Sequence, residues 1–120
     1  MSGTQPESVL VHAIRRTIEA AYPQAFVMKN HGSMYMAAGI PDLFVFINGR
    51  AFALEVKRQR PGESMEAARG RCSPMQRFTM QKFRNAGVTA DCVLSVGEAM
   101  SCIQGHAPFL DLTKIPEETS

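Results

Sequence analysis

Apolar residues recur every three or four positions in residues 4–22, at Leu10, Val11, Ile14, Ile18, Ala21 and Tyr22. That spacing predicts an amphipathic helix with His12, Arg15, Arg16 and Glu19 on its wet face, ended by Pro23. Residues 25–29 read as a short strand carrying Phe26, Val27 and Met28, and residues 30–38 as a polar loop. Two nearly continuous apolar runs follow, residues 42–47 and 52–57, separated by a turn at Asn48-Gly49. Asn-Gly between hydrophobic runs is the strongest short-range hairpin signal, because a type I′ turn needs positive φ at both central residues. The rhythm is lost after Lys57, in an arginine-rich stretch containing Pro61-Gly62. It returns at Ser73-Pro74-Met75-Gln76, a helix start with a Ser cap, Pro at the first position and Gln three after the cap. That helix is expected to run to about Ala86, with Gly87 ending it. Residues 88–94 read as a fourth strand and residues 95–104 as a last helix with a capping box from Ser95 to Glu98. The polar tail from Gly105 onward is expected to be loosely ordered.

A strand, a crossover helix and a further strand imply parallel pairing, so the expected fold is α/β with a mixed four-stranded sheet flanked by helices. At 120 residues the chain fits one domain, residues 1–120, with a core from about 5 to 104 and a tail over 105–120. It has neither an apolar run long enough for a membrane span nor a signal-like amino terminus, which points to a cytosolic protein, bacterial or host-cell. Cys72, Cys92 and Cys102 are odd in number and lack C-x-x-C spacing, so neither a disulfide framework nor a zinc site is implied. His12, His31 and His106 are scattered and form no ligand pattern. Net charge is only +2, but residues 50–84 carry nine basic residues against three acids, which suits a polyanionic partner.

The hairpin turn sets a register in which Ile47 meets Arg50 and Asp42 falls opposite Glu55, with Lys57 on the same face. Facing carboxylates repel by up to ~1 kcal/mol. Something positive between them relieves this, either Lys57 or a hard divalent cation, which takes one or two carboxylates and keeps several waters. The plainer alternative is a solvated sheet edge with a structural Glu55–Lys57 pair. Glu7 lines up with the buried stripe of the first helix, unlike Glu19. It is a capping-box partner of Thr4, a group reaching toward the carboxylates, or both. Gln76 is likewise a capping residue or a polar group offered to the site. Arg58, Arg60, Arg69 and Arg71 are placed to contact phosphates without reading sequence, the alternative being a solvated loop. Asn30, His31 and Ser33 either touch substrate or solvate their loop, and Met34 and Met36 pack under it or at a partner surface.

The order Glu7 on a helix, strand, Gly39-Ile40-Pro41-Asp42-Leu43, Glu55-Val56-Lys57, then Ser73-Pro74-Met75-Gln76, helix and strand resembles the VRR-NUC family (virus-type replication-repair nucleases) of the PD-(D/E)xK superfamily. The resemblance implies a restriction-endonuclease-like core. It also implies Mg²⁺ or Mn²⁺ held by Asp42, Glu55 and the Val56 backbone carbonyl, with Glu7 binding or supporting the metal. Lys57 would orient or help deprotonate the attacking water, and Gln76 matches the glutamine that opens the later helix. The implied activity is a metal-dependent DNA endonuclease leaving 5′-phosphates. Free-standing viral and bacterial relatives resemble Holliday-junction resolvases, which implies a homodimer acting on branched DNA in phage or bacterial DNA repair. A catalytically silent nucleic-acid-binding module, or a subunit of a larger repair or replication complex, is the alternative.

Overall fold

The computed structural model describes residues 6–32 and 38–113. Its elements are α1 (Glu7–Ala21), β1 (Phe26–Lys29), β2 (Leu43–Ile47), β3 (Arg50–Val56), α2 (Met65–Gly70), α3 (Pro74–Asn85), β4 (Thr89–Val93) and α4 (Val96–Ile103). The four strands form one sheet in the order β1-β2-β3-β4, antiparallel except for the parallel β3–β4 pair. The Asn48-Gly49 turn has positive φ at both residues, 50° and 80°, as a type I′ turn requires. The register it imposes runs without a bulge from Ile47↔Arg50 to Leu43↔Leu54.

Alternation along the strands divides the core into two layers. Leu43, Val45 and Ile47 of β2, with Phe52, Leu54 and Val56 of β3, point to one face and are covered by Val11, Ile14 and Ile18 of α1 and by Ala99, Cys102 and Ile103 of α4. The other face is built from smaller groups, Ala53, Ala68, Cys72, Ala90 and Cys92, with Met80, and lies under α2 and α3. Small side chains let these helices approach the sheet closely.

Three differences from the sequence reading have physical causes. The stretch after Lys57 contains α2, opened by Ser64, whose hydroxyl accepts from the Ala67 N–H. Only Ala68 of this six-residue helix is buried, so it has no apolar period to read. Ser95 caps α4, but the Glu98 carboxylate accepts from the Leu94 N–H and from Arg69 rather than closing a reciprocal box. Residues 105–112 are not loose: fully buried Asp91 accepts from the N–H groups of Phe109 and Leu110, and Leu110 is buried. The expected Thr4 cap, Ser33, Met34, Met36 and the rest of the tail lie outside the described residues; the N-cap position of α1 is Pro6, which makes no side-chain cap. Among the described residues no helix is long and apolar enough to cross a membrane.

Candidate active site

β2 and β3 bring Asp42 and Glu55 together at one end of the sheet. Asp42 immediately precedes β2, and its Oδ2 accepts from the Val56 N–H at 2.8 Å, taking the place of a ladder acceptor where the strand begins. The Asp42 carbonyl accepts from the Asn30 N–H at 2.8 Å, so the β1 pairing also holds this residue. Glu55 sits next to the end of β3 and is only 4% exposed. Its Oε2 receives Nε2 of Gln76 at 2.9 Å and lies 3.4 Å from Nζ of Lys57. The Lys57 N–H donates to the Val93 carbonyl, so the parallel ladder fixes the lysine as it leaves the strand.

Gln76 has both of the roles its position allowed. Its Oε1 accepts from the Ser73 N–H in a complete capping box, and the same amide's Nε2 turns to Glu55. The start of α3 is therefore tied to the carboxylate. Gly39, with φ of +84°, passes so near the Met75 backbone that a Cβ would stand 2.7 Å from its carbonyl oxygen. Only glycine permits that approach of the β2 lead-in to α3.

Burial pushes the Glu55 carboxyl up to about 8, and the Asp42 charge adds to the effect against the opposing pull of Lys57. Asp42 is also raised, chiefly by burial. The Val56 hydrogen bond and the charges of Lys57 and Lys29 oppose this, and the charge of Glu7 reinforces it. Two desolvated carboxylates close together favour positive charge between them. An all-oxygen donor set of Asp42, Glu55 and the Val56 carbonyl suits a hard cation that keeps waters. Among the described residues no three His, Cys, Asp or Glu side chains converge as a metal cluster. Glu7 instead accepts from the Arg58 N–H at 3.1 Å and lies 3.7 Å from Arg71, holding the chain just after Lys57.

The other sequence-derived candidates separate by environment. Arg60 is exposed and Arg58 half-buried beside the site. Arg69 is turned inward, donating to both oxygens of Glu98 and to the Cys92 carbonyl. Arg71 pairs with Glu63 through two nitrogens and donates to the Arg58 carbonyl. Asn30 clasps the neck of the following loop, its Nδ2 donating to the Ile40 carbonyl and its Oδ1 accepting from Gly32. Two neighbours escaped the sequence reading. Lys29 was legible only once β1 was seen to pair with β2, which sets it opposite Leu43, and Cys72, a buried thiol near Glu55, carries no sequence signal of its own. A cleft of about 410 Å³ lies at the opposite ends of the strands and is not part of this site. Its arginines, Arg50 and Arg84, donate to the carbonyls of Ile103, Ala90 and Leu110.

No family model matches the chain, and no curated protein does. At least two solved structures share its fold. One, a "VRR_NUC domain", superposes with a TM-score of 0.61 at 22% identity, covering 84% of this chain and 97% of that one. The other, a "VRR_NUC domain protein", gives 0.63 at 18% identity, covering 86% and 88%.

Proposed function

We propose that this chain, which has the fold of the VRR_NUC domain structures, is a VRR-NUC-type nuclease that hydrolyses DNA phosphodiester bonds with Mg²⁺ or Mn²⁺. The observation that carries the reading is the meeting of Asp42, Glu55 and Lys57 at the ends of β2 and β3, with Gln76 bonded to Glu55. When bound, the cation would polarise the scissile phosphate and lower the pKa of attacking water. Asp42, Glu55 and the Val56 carbonyl would hold it. Lys57, poised beside Glu55, orients the water and stabilises charge developing on the phosphoryl oxygens. Gln76 keeps Glu55 in place, and Glu7 holds the exit of β3 so that Lys57 stays aimed. Exposed Arg60 and half-buried Arg58 contact phosphates, while Arg69 and Arg71 act within the fold. The dimeric, junction-cutting form of the reading rests on the resemblance to free-standing resolvase-like relatives.

Incubating the purified chain with four-way-junction, flap and linear duplex DNA in Mg²⁺ or Mn²⁺ tests this reading. Cleavage of at least one substrate, strongest on a branched one, is expected. Binding without cleavage in either metal overturns it. Sedimentation of the chain alone and with a junction checks the dimer.

Two further outcomes are expected. Glu7→Gln, which weakens the tie to Arg71, should slow single-turnover cleavage by roughly tenfold, a small displacement at the reacting centre being enough for that. Glu19→Gln, on a residue paired with Arg15 on the exposed face of α1, should stay within about twofold. Equal effects would remove Glu7 from the site. In a salt titration of DNA binding, Arg58→Ala and Arg60→Ala should each reduce the log–log slope by about one. Arg69→Ala should leave the slope intact and lower the melting temperature, because it strands Glu98 in a half-buried pair.

A further inference from the structure

Two lysines bear on Asp42, and the mechanism above uses one of them. Lys57 lies against Glu55 Oε2, on the face that Glu55 shares with its β4 partner Cys92, the layer under α2 and α3. Lys29 ends β1 opposite Leu43 and two residues after Val27, both in the layer under α1 and α4. The next residue ties it to the site, because the Asn30 N–H donates to the Asp42 carbonyl at 2.8 Å. Asp42 therefore stands between two ammonium groups, one on each face of the sheet. Burial raises its carboxyl, and the charges of both lysines are among the pulls against that. The two lysines differ in what answers their charge. Lys57 has Glu55 as its counter-ion. Lys29 is half-buried on the edge strand, and among the described residues no carboxylate lies within ion-pair distance of it. Its ammonium makes one long hydrogen bond, 3.5 Å, to the Asn30 carbonyl. The segment that follows holds no acid to neutralise it, residues 33–37 being Ser-Met-Tyr-Met-Ala. A partly desolvated ammonium without a counter-ion favours an anion brought from outside.

We propose that Lys29 holds a phosphate of the cleaved strand next to the scissile one, on the α1 side of the Asp42–Glu55 site. The proposal rests on the DNA-nuclease reading above and adds a substrate-positioning residue to it. β1 and β3 are two strand spacings apart, roughly 10 Å, and the two lysines face opposite sides of the sheet. Their charges are thus spread over more than one phosphate. Lys57 serves the one received by Asp42 and Glu55, and Lys29 serves its neighbour as the strand passes over the end of β2. That contact supplies the counter-ion the fold leaves out and fixes where the strand crosses the carboxylates, without reading a base. The competing use of Lys29 is to screen the charge of Asp42. Screening acts on the affinity for the cation and on no particular phosphate, and this difference is measurable.

The test uses the full chain in Ca²⁺ and whichever of the junction, flap and duplex DNAs it binds best. A neutral methylphosphonate is placed at one position at a time along one strand. Lys29→Met keeps the apolar stem without the charge, Lys29→Gln is a second neutral variant, and Lys29→Arg keeps the charge. On the parent, a neutral linkage at one position beside the scissile phosphate should weaken binding by about tenfold. Both neutral variants should show that loss already on unmodified DNA, and the same linkage should then cost no more than about twofold further. Their salt slopes should fall by about one, and Lys29→Arg should bind within about threefold of the parent. Losses from the neutral linkage that are equal in parent and neutral variants at every position overturn the proposal, because the lysine then touches no phosphate. So does a defect of Lys29→Met that raised Ca²⁺ restores, since screening of Asp42 then accounts for it. Cleavage in Mg²⁺ separates this proposal from the reading it rests on. Cleavage without coupling at any phosphate removes Lys29 from the substrate and leaves the nuclease. Coupling in Ca²⁺ with no cleavage of any DNA in Mg²⁺ or Mn²⁺ removes the nuclease and leaves the phosphate contact.

Discussion

Glu55→Gln is expected to raise the stability of the metal-free protein at pH 8 and to leave it nearly unchanged at pH 5, while lowering cleavage by about a thousandfold. The sign follows from proton counting. The folded Glu55 carboxyl titrates at about 8 against an ordinary value of 4.5, mainly because it is buried and faces Asp42. Between these values the folded chain holds a proton that the unfolded chain has lost, so stability falls as pH rises. Below about pH 4.5 the group is neutral in both states and contributes nothing; above about 8 the whole cost is present. Glutamine never ionises and escapes that cost, while its amide can still bond to Gln76. At pH 8 the gain is on the order of a few kcal/mol, reduced because Lys57 loses its counter-ion, and several degrees of melting temperature follow. Thermal melts of both proteins from pH 5 to 8.5 in EDTA measure it. Saturating Mg²⁺ should then stabilise the parent and not the variant, because a ligand that binds only the native state stabilises it. A pH-independent difference between the two proteins would remove the strained carboxylate from the account.

That strain sits where the chain was easiest to read. The hairpin was legible because one dipeptide, Asn48-Gly49, determines turn type and therefore register, and register determines which residues face each other. Asp42 opposite Glu55 followed by geometry alone, as did the inward phase of α1 and the Ser73–Gln76 cap. What periodicity could not show were contacts made by single polar groups across long sequence separations. Asp91 lies between buried Ala90 and Cys92 and anchors residues 109 and 110, a use that no local pattern announces. Arg69 and Arg71 looked like phosphate ligands because charge composition does not reveal pairing, and their carboxylate partners, Glu98 and Glu63, lie on a different element and across a turn. The double role of Gln76 was visible as two alternatives, since only the packing of α3 against β3 decides that one amide serves both. The exposure of Phe26 and Phe46 was invisible for a related reason. Both look like core residues until the position of α3 shows that nothing among the described residues covers them.

Lys57→Ala should lower single-turnover cleavage by about a thousandfold with DNA affinity unchanged, and Asp42→Asn should do the same, incompletely relieved by Mn²⁺. The magnitude is that of removing one positioned group that acts on the nucleophile or on developing charge. Binding is spared because the lysine is 13% exposed and held against Glu55, while Arg58 and Arg60 carry the phosphate contacts of the proposed reading. The fold is spared in Asp42→Asn because an amide oxygen can still accept from the Val56 N–H that Asp42 now holds at 2.8 Å. The informative measurement is the double variant. Lys57 and Glu55 are in contact and serve one reacting centre, so Glu55→Gln with Lys57→Ala should be no slower than the worse single variant. Losses that multiply would mean that the two groups act independently, with the Glu55–Lys57 pair a structural feature of the sheet edge and the nucleophile prepared elsewhere. Losses that do not multiply require a single site in which the lysine acts only when the carboxylate beside it is in place.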